Sequence, residues 1–144
     1  MVQDWRNNTR VTLDDGNRAL VLWQKVAHFV PSSIEGCRAC GINERLRFYR
    51  YDPGQKFDWH TDGYYQRSNG EQSFLTLMVY LNEGCVGGET RFRLDPDDTA
   101  NDLVVTPELG MALFFSHPLL HQGAPVTQGR KYVLRTDVMY TSMA

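Results

Sequence analysis

The sequence predicts an all-β core with an N-terminal helix, arranged as a double-stranded β-helix, or jelly roll. About eight short segments rich in β-branched, aromatic and aliphatic residues follow one another, separated by turn-forming residues. One stretch with helical spacing precedes them. Many short strands behind a single helix are the pattern of a double-sheet jelly roll.

The length and charge of the chain limit its organisation and its partners. We expect 144 residues to form one domain over 1–144, with a jelly-roll core at about 44–140. A net charge of -2 gives no electrostatic reason to expect a nucleic acid or an anionic membrane as a partner. No long apolar run could span a bilayer, and residues 1–6 do not form a signal peptide. These features predict a cytoplasmic protein.

A helix is predicted at about residues 15–29. Asp14 or Asp15 offers a side-chain cap for its first turn. Pro31 ends it, because the residue before a proline avoids the helical conformation. We expect a loop or short edge strand over residues 4–13 before it, and the helix packed outside a sheet. Its apolar residues at helical spacing are Ala19, Leu20, Trp23, Val26 and Ala27.

The cysteines give little functional information. Cys37 and Cys40 form a lone C-x-x-C with no second pair and no nearby histidine, which argues against a structural zinc site. Reduced thiols are expected in a cytosolic protein, with a redox pair as the alternative. Both cysteines fall within residues 32–42, where glycines predict a loop.

Two predicted strands carry polar side chains that could line a cavity, because side chains alternate between the faces of a strand. In the strand over residues 73–81, Thr76 and Tyr80 lie opposite the aliphatic face. In the strand over residues 44–51, a face of arginines and tyrosines suits either a cavity for an acidic ligand or a solvated surface. That face consists of Arg45, Arg47, Tyr49 and Tyr51.

His60 and Asp62 form a candidate metal site at the end of a strand predicted over residues 57–60. Their spacing puts both side chains on one face of an extended chain. With a second histidine they would form the 2-His-1-carboxylate triad of non-haem Fe(II) oxygenases. His117 and His121 both follow a predicted strand and are the two candidates. His28 lies in the predicted helix and is interpreted as a packing or surface residue.

From about Leu46 to Tyr140 the chain resembles the Fe(II)- and 2-oxoglutarate-dependent oxygenases, specifically their prolyl 4-hydroxylase-like branch. The resemblance is carried by several blocks in a fixed order and spacing. They are RYDPGQKF leading into HTD at residues 60–62, YLNE at 80–83, GGETRF at 87–92, ALFF at 112–115, HQGAPV at 121–126 and GRKYV at 129–133.

The resemblance implies two sets of site residues. The implied Fe(II) ligands are His60, Asp62 and His121. The implied residues of the 2-oxoglutarate pocket are Lys131, Tyr51, Thr76 and Tyr80.

Lys131 would pair with the distal carboxylate of 2-oxoglutarate, because an unpaired charge is costly in a desolvated barrel. It lies ten positions after His121, at the start of the last predicted strand. Arg135 shares its face and is the substitute cation, whereas Arg130 points to the opposite face.

The function implied by the resemblance is hydroxylation of an aliphatic carbon, with a peptidyl prolyl residue as one candidate substrate, and release of succinate and carbon dioxide. The carboxylate of Asp62 argues for hydroxylation over halogenation, because a halide needs the position that the carboxylate fills. Implied cofactors are Fe(II) and 2-oxoglutarate, with ascorbate as a candidate reductant. A hydroxylase of free amino acids or other small molecules is one alternative. The other is a non-catalytic jelly-roll module that binds a metal or ligand.

The expected partners are dioxygen and a protein or small-molecule substrate. Arg47, Arg135 and Trp59 are the candidate substrate residues, although pairing of the arginines with Glu44 or Asp137 would explain them equally well. Relatives usually carry further strands and helices before the helix. The chain is therefore expected to be a trimmed domain or a minimal barrel that could complete its sheet as a homodimer.

Overall fold

The computed structural model describes residues 6–143. Residues 1–5 and 144 lie outside the described residues, and with them most of the segment considered as a signal peptide and both ends of the predicted domain. The described part contains one α-helix, one short 3-10 helix and thirteen strands. No helix in it is long and apolar enough to cross a membrane.

The elements follow one another in an order dominated by strands. The helix α1 spans Gly16–Val26 and continues as a 3-10 turn at Ala27–Phe29. The strands are β1 (Thr9–Asp14), β2 (Ser33–Ile34), β3 (Cys37–Ile42), β4 (Arg45–Tyr51), β5 (Phe57–His60), β6 (Gln72–Tyr80), β7 (Val86–Gly87), β8 (Thr90–Phe92), β9 (Leu103–Val105), β10 (Ala112–Ser116), β11 (His121–Gly123), β12 (Val126–Gln128) and β13 (Lys131–Ser142).

Helix α1 agrees with its predicted position. The side chain of Asp15 accepts a hydrogen bond from the backbone N–H of Arg18 at 3.0 Å and caps the first turn. Ala19 and Val26 are buried in an apolar cluster with residues of the larger sheet. Leu20, which helical spacing places with the core, is instead 55% exposed.

The strands form the two sheets of a jelly roll, as the sequence predicts. The larger sheet has seven strands and runs in the order β1-β4-β13-β3-β2, with β6 pairing with both β13 and β10. The smaller sheet runs β5-β11-β8-β9, and β12 pairs separately with β7. The fold is therefore a double-stranded β-helix with one helix packed on it.

Strand β13 is the centre of the larger sheet. It pairs antiparallel with β4, β6 and β3 along its twelve residues. The register with β4 places Lys131 opposite Tyr51 and Arg135 opposite Arg47. Residues that are far apart in the sequence are thereby brought onto neighbouring positions of one sheet.

One prediction about the strands was wrong. Residues 32–42 contain β2 and β3 rather than a loop, because β3 pairs with the end of β13, from Ile42 opposite Val138 to Cys37 opposite Ser142. That partner lies about a hundred residues away, so local composition does not indicate it. His121 follows β10, as expected, and starts a short strand of its own, β11, between β5 and β8.

Cys37 and Cys40 are free thiols on β3. Their separation of three residues places their side chains on opposite faces of the strand. The C-x-x-C spacing therefore does not bring these two sulfur atoms together.

Replacement of Leu77 by alanine tests the core between α1 and the larger sheet. Leu77 is fully buried among apolar residues, so Leu77→Ala should lower the free energy of unfolding by about 2 to 5 kcal/mol. Val11→Ala, at a side chain that is 63% exposed, should change it by less than about 0.5 kcal/mol. Urea denaturation followed by circular dichroism measures both. Equal losses in the two variants would contradict this description of the core.

Candidate metal and cosubstrate site

A cavity of about 360 Å³ lies between the two sheets. This volume is at the lower end of the range for small-molecule sites. The residues that line the cavity come from β4, β5, β6, β8, β10, β11 and β13, from the loop after β5, and from Arg6 before β1. They include His60, Asp62, His121, Thr76, Thr90, Tyr49, Tyr51, Lys131, Arg47, Arg135 and Arg6.

His60 and His121 face each other across β5 and β11, where they are register partners. The Nδ1 of His60 lies 2.6 Å from the backbone oxygen of Asp58, and that of His121 lies 2.9 Å from the oxygen of Leu119. A carbonyl oxygen only accepts hydrogen bonds, so each Nδ1 carries the proton. In the neutral ring, Nε2 is then the nitrogen that can bind a metal, and the Nε2 of each histidine is directed at Asp62.

Asp62 completes the cluster from just beyond the end of β5. The strand ends at His60, and the backbone N–H of Asp62 donates to the oxygen of His117 at 2.8 Å. Its Oδ1 lies 3.4 Å from the Nε2 of His60 and 3.7 Å from the Nε2 of His121. Burial by itself would raise the pKa of Asp62, but its contacts with His60, Arg135, His121 and Thr76 lower it well below the ordinary range.

The other oxygen of Asp62 is held by the larger sheet through a chain of hydrogen bonds. The Thr76 hydroxyl donates to Oδ2 at 2.7 Å and accepts from the Nδ1 of His117 at 2.9 Å. The Nε2 of His117 then accepts from the Ser73 hydroxyl at 2.7 Å. Both nitrogens of His117 are thus occupied, and His121 rather than His117 joins His60 and Asp62.

The cluster fits a metal ion with two nitrogen ligands and one oxygen ligand. The three ligand atoms lie within 4.8 Å of one another. The Oδ1 of Asp62 lies 3.4 and 3.7 Å from the two Nε2 atoms, a spacing that one ion with ordinary ligand bonds of about 2.0 to 2.2 Å could bridge. Two neutral imidazoles and one carboxylate are the donor set of non-haem Fe(II) sites.

Lys131 lies in the same cavity and is 2% exposed. Its ammonium group donates to the backbone oxygen of Gly88 at 2.9 Å and lies 4.2 Å from the centre of the Tyr51 ring. No carboxylate of the described residues lies within 4.0 Å of it. Burial lowers the pKa of Lys131 to about 8. A buried ammonium without an anion is suited to receive a carboxylate from a ligand.

Arg130 and Arg135, the two cations near Lys131 in the sequence, are both paired with carboxylates. Arg130 is exposed and pairs with Asp52 at 2.9 Å. Arg135 shares the cavity face with Lys131, as alternation predicts, but its guanidinium lies 3.6 Å from Asp62 and 3.5 Å from Asp137. The expected alternative pairing of Arg135 with Asp137 is therefore present.

The other expected pocket residues differ in their contacts. Tyr51 lines the cavity beside Lys131, and Thr76 lines it while supporting Asp62. Tyr80 is fully buried behind Thr90, to which its hydroxyl is hydrogen-bonded, and Thr90 lines the cavity in its place. Burial raises the pKa of Tyr80 to about 12.

The three candidate substrate residues do not lie together. Arg47 and Arg135 both line the cavity. Trp59 is not among the lining residues, and its ring lies 4.2 Å from the guanidinium carbon of Arg93. Trp59 is adjacent to His60, so alternation along β5 directs the two side chains to opposite faces.

Sequence reasoning missed the roles of Thr90, Ser73 and two glycines beside Lys131. At Gly88 a Cβ would lie 3.2 Å from the lysine Cδ, and at Gly123 it would lie 3.6 Å from the Nζ. Gly88 also has a φ of +73°. The Gly-Gly pair before β8 was an available signal, since a glycine beside a strand indicates close backbone approach.

The fold and this geometry define a class: a jelly-roll protein with a two-histidine, one-carboxylate metal site beside a buried cation. A family model described as the 2OG-Fe(II) oxygenase superfamily, where 2OG is 2-oxoglutarate, matches residues 46–136. The chain belongs to the 2OG-Fe(II) oxygenase superfamily.

Among curated proteins, the chain is similar to two Arabidopsis thaliana proteins, "Probable prolyl 4-hydroxylase 4" and "Prolyl 4-hydroxylase 2". Each is 32% identical to it, and each match covers 62% of this chain and 39% of the relative. The chain thus spans about two fifths of the length of these curated relatives.

The solved structures agree with the fold. The viral collagen prolyl hydroxylase of Paramecium Bursaria Chlorella virus-1, in its 2OG complex, is 27% identical with a TM-score of 0.67. That match covers 93% of this chain and 79% of the other. A Pseudomonas putida prolyl-4-hydroxylase is 19% identical with a TM-score of 0.68, and that match covers 96% of this chain and 74% of the other. At this identity the match supports the fold alone.

Replacement of Thr76 by valine tests the support of Asp62. The change keeps the shape of the side chain but removes the hydrogen bond to Oδ2, so Fe(II) affinity should fall by about 10- to 100-fold. Anaerobic Fe(II) titration measures the affinity. Thr12→Val, at an exposed position of β1, is the matched control and should bind Fe(II) like the wild type. Unchanged affinity in Thr76→Val would contradict the supporting role.

The pH dependence of stability tests the burial of Lys131. Between pH 8 and 10 the folded chain loses the proton of Lys131, whereas the unfolded chain, with the ordinary lysine pKa of 10.5, keeps it. The unfolded state therefore binds more protons, and this lysine should raise the free energy of unfolding by about 2 to 3 kcal/mol across that window.

Denaturation measured at intervals from pH 7 to 10 should show this rise in the wild type and in Lys25→Met, which removes an exposed lysine. The rise should be absent in Lys131→Met. Above pH 10 the slope reverses, because burial raises the pKa of Tyr51 and the unfolded chain then releases that proton first. A rise that persists in Lys131→Met would refute the assignment.

Proposed function

We propose that this chain binds Fe(II) and 2-oxoglutarate and uses dioxygen to hydroxylate an aliphatic carbon of a protein or small-molecule substrate, releasing succinate and carbon dioxide. One observation carries the proposal. The His60, Asp62 and His121 cluster shares a cavity with Lys131, a buried cation that has no carboxylate partner among the described residues.

The residues are assigned to two groups. In the first, His60 and His121 hold the iron through Nε2 and Asp62 holds it through Oδ1, the atoms that converge in the cluster. In the second, Lys131 binds the distal carboxylate of 2-oxoglutarate and Tyr51 lies beside it. When bound, iron and cosubstrate supply an oxidation in which one atom of dioxygen enters a substrate C–H bond and the other enters succinate.

The remaining contribution of the chain is to hold these groups in position within the cavity. Thr76 and Arg135 hold the outer oxygen of Asp62, so that Oδ1 stays directed at the two histidines. The tyrosine ring and the Gly88 oxygen hold the ammonium of Lys131 at a fixed position. Electrostatic attraction between this ammonium and a ligand carboxylate is stronger there than in water.

The names of the relatives guide the choice of substrate. Both Arabidopsis relatives and the two solved structures are named as prolyl hydroxylases, so a peptidyl prolyl residue is the first candidate. Free amino acids and other small molecules are the second. The metal-ligand cluster and Lys131 share one cavity, which favours an enzyme over a non-catalytic module that binds a metal or a ligand alone. Ascorbate as a reductant, a homodimer and a cytoplasmic location stay predictions.

An anaerobic titration of the chain with Fe(II) and 2-oxoglutarate tests the function. The wild type should develop the visible charge-transfer band of iron chelated by 2-oxoglutarate. His60→Ala should lose at least about 90% of it, because one of three ligands is gone. His28→Ala, which removes an exposed histidine in the 3-10 turn, should keep it. Admission of dioxygen with substrate should then give succinate. Absence of the band from the wild type, or full iron binding by His60→Ala, would sink the proposal.

A further inference from the structure

The cavity contains more positive charge than the proposed metal and cosubstrate require. Even without Arg6, the described residues that line it include three cationic side chains, Arg47, Lys131 and Arg135, and a single carboxylate, that of Asp62. Fe(II) and doubly charged 2-oxoglutarate would cancel each other's charge. Positive charge would therefore be left for the substrate.

Arg47 and Arg135 lie directly opposite each other in the register of β4 with β13. Like charges at such positions destabilise a sheet unless something compensates them. Arg135 is compensated by Asp62 at 3.6 Å and Asp137 at 3.5 Å. These two carboxylates compensate the charge of Arg135, but not that of Arg47.

Arg47 has no such compensation within the described part of the chain. Glu44, a partner considered from the sequence, pairs with Arg67 instead. No other carboxylate of the described residues lies within 4.0 Å of the Arg47 guanidinium. Arg47 is also near another cation: the pKa of Arg6 is lowered mainly by burial, with added repulsion from Arg10 and Arg47. The half-buried guanidinium is therefore available to an anion that enters the cavity.

We propose that the substrate carries a carboxylate, and that Arg47 binds it and determines this specificity. The inference rests on the proposed function. Arg47 is the cross-strand neighbour of Arg135, whose guanidinium contacts the metal-ligand candidate Asp62. An acid held by Arg47 therefore lies close to the metal centre. In a cavity of about 360 Å³, the carbon that is oxidised is near this carboxylate.

The carboxylate can belong to a free amino acid or to an acidic residue beside the oxidised residue of a peptide. The two sources present the same group to Arg47 and are separated by two arms of one experiment. In the first arm, free L-amino acids are compared with their carboxamides. In the second, acetylated and amidated Ala-Glu-Pro-Ala is compared with Ala-Gln-Pro-Ala.

Each probe is added anaerobically to the chain loaded with Fe(II) and 2-oxoglutarate. The charge-transfer band itself reports the proposed function, and its perturbation by the probe reports substrate binding. Mass spectrometry after admission of dioxygen identifies the hydroxylated product. The variants are Arg47→Gln, Arg47→Lys and the matched control Arg45→Gln, which removes an exposed arginine two residues away that pairs with Asp14.

The wild type should bind at least one acid, free or peptidyl, about 10-fold or more tightly than its neutral partner, because a hydrogen bond between charged groups is lost in the amide. Arg47→Gln should lose this preference and Arg47→Lys should keep part of it. Arg45→Gln should match the wild type, and all variants should form the band with unchanged 2-oxoglutarate affinity.

Two failures are distinguishable. If the band forms but acids and amides bind alike, or if Arg47→Gln keeps the preference, the carboxylate inference is overturned and the proposed function stands. If no band forms in the wild type, the proposed function fails, and the inference that rests on it fails as well.

Discussion

The alternation of side chains along β13 is the constraint on which both the fold and the site depend. On one face of this strand, Val138 and Tyr140 pack in the apolar cluster beneath α1. On the other, Lys131, Val133 and Arg135 line the cavity. Because β13 pairs with three other strands, neither face can shift without breaking the larger sheet. The cations are therefore held at fixed positions by the same register that forms the core.

The candidate metal site depends on both sheets at once. His60 and His121 come from the smaller sheet, whereas Thr76 and Arg135, which hold the outer oxygen of Asp62, come from the larger one. Asp62 itself lies in a loop and is fixed by contacts from both sides. The three ligand atoms therefore converge only when the sheets are packed. On the proposed function, iron binding and folding would stabilise each other, because the unfolded chain has no such site.

The parts of the site that could be predicted from the sequence are those fixed by local spacing and strand alternation. The separation of His60 and Asp62 and the cavity-facing position of Lys131 are of this kind. Spacing alone could not decide whether His117 or His121 is the second histidine ligand. The sequence blocks that resemble the family identified His121. Alternation along β5 also directs Trp59 and His60 to opposite faces. The same rule therefore argued against Trp59 as a substrate residue.

The parts that could not be predicted depend on pairing between distant segments. Strand β3 forms against the end of β13, and its own glycines and cysteines give no strong strand signal. Tyr80 faces the predicted side of β6, yet Thr90 of a different strand separates it from the cavity. The role of His117 depends on Ser73 and Thr76, hydroxyls that lie more than forty positions earlier in the chain. Register and packing decide each of these, and neither is encoded in a local pattern.

The charges that meet in the cavity favour an order of binding on the proposed function. Lys131 is 2% exposed, whereas Arg47 is only half-buried in the same cavity. A carboxylate bound by Arg47 would add negative charge to the cavity that Lys131 also lines, and it would weaken the attraction for the doubly charged cosubstrate. Bound iron adds positive charge near Asp62 and strengthens the attraction for the first anion. Each anion that binds then lowers the positive potential met by the next, which favours a doubly charged cosubstrate first and a singly charged acid second.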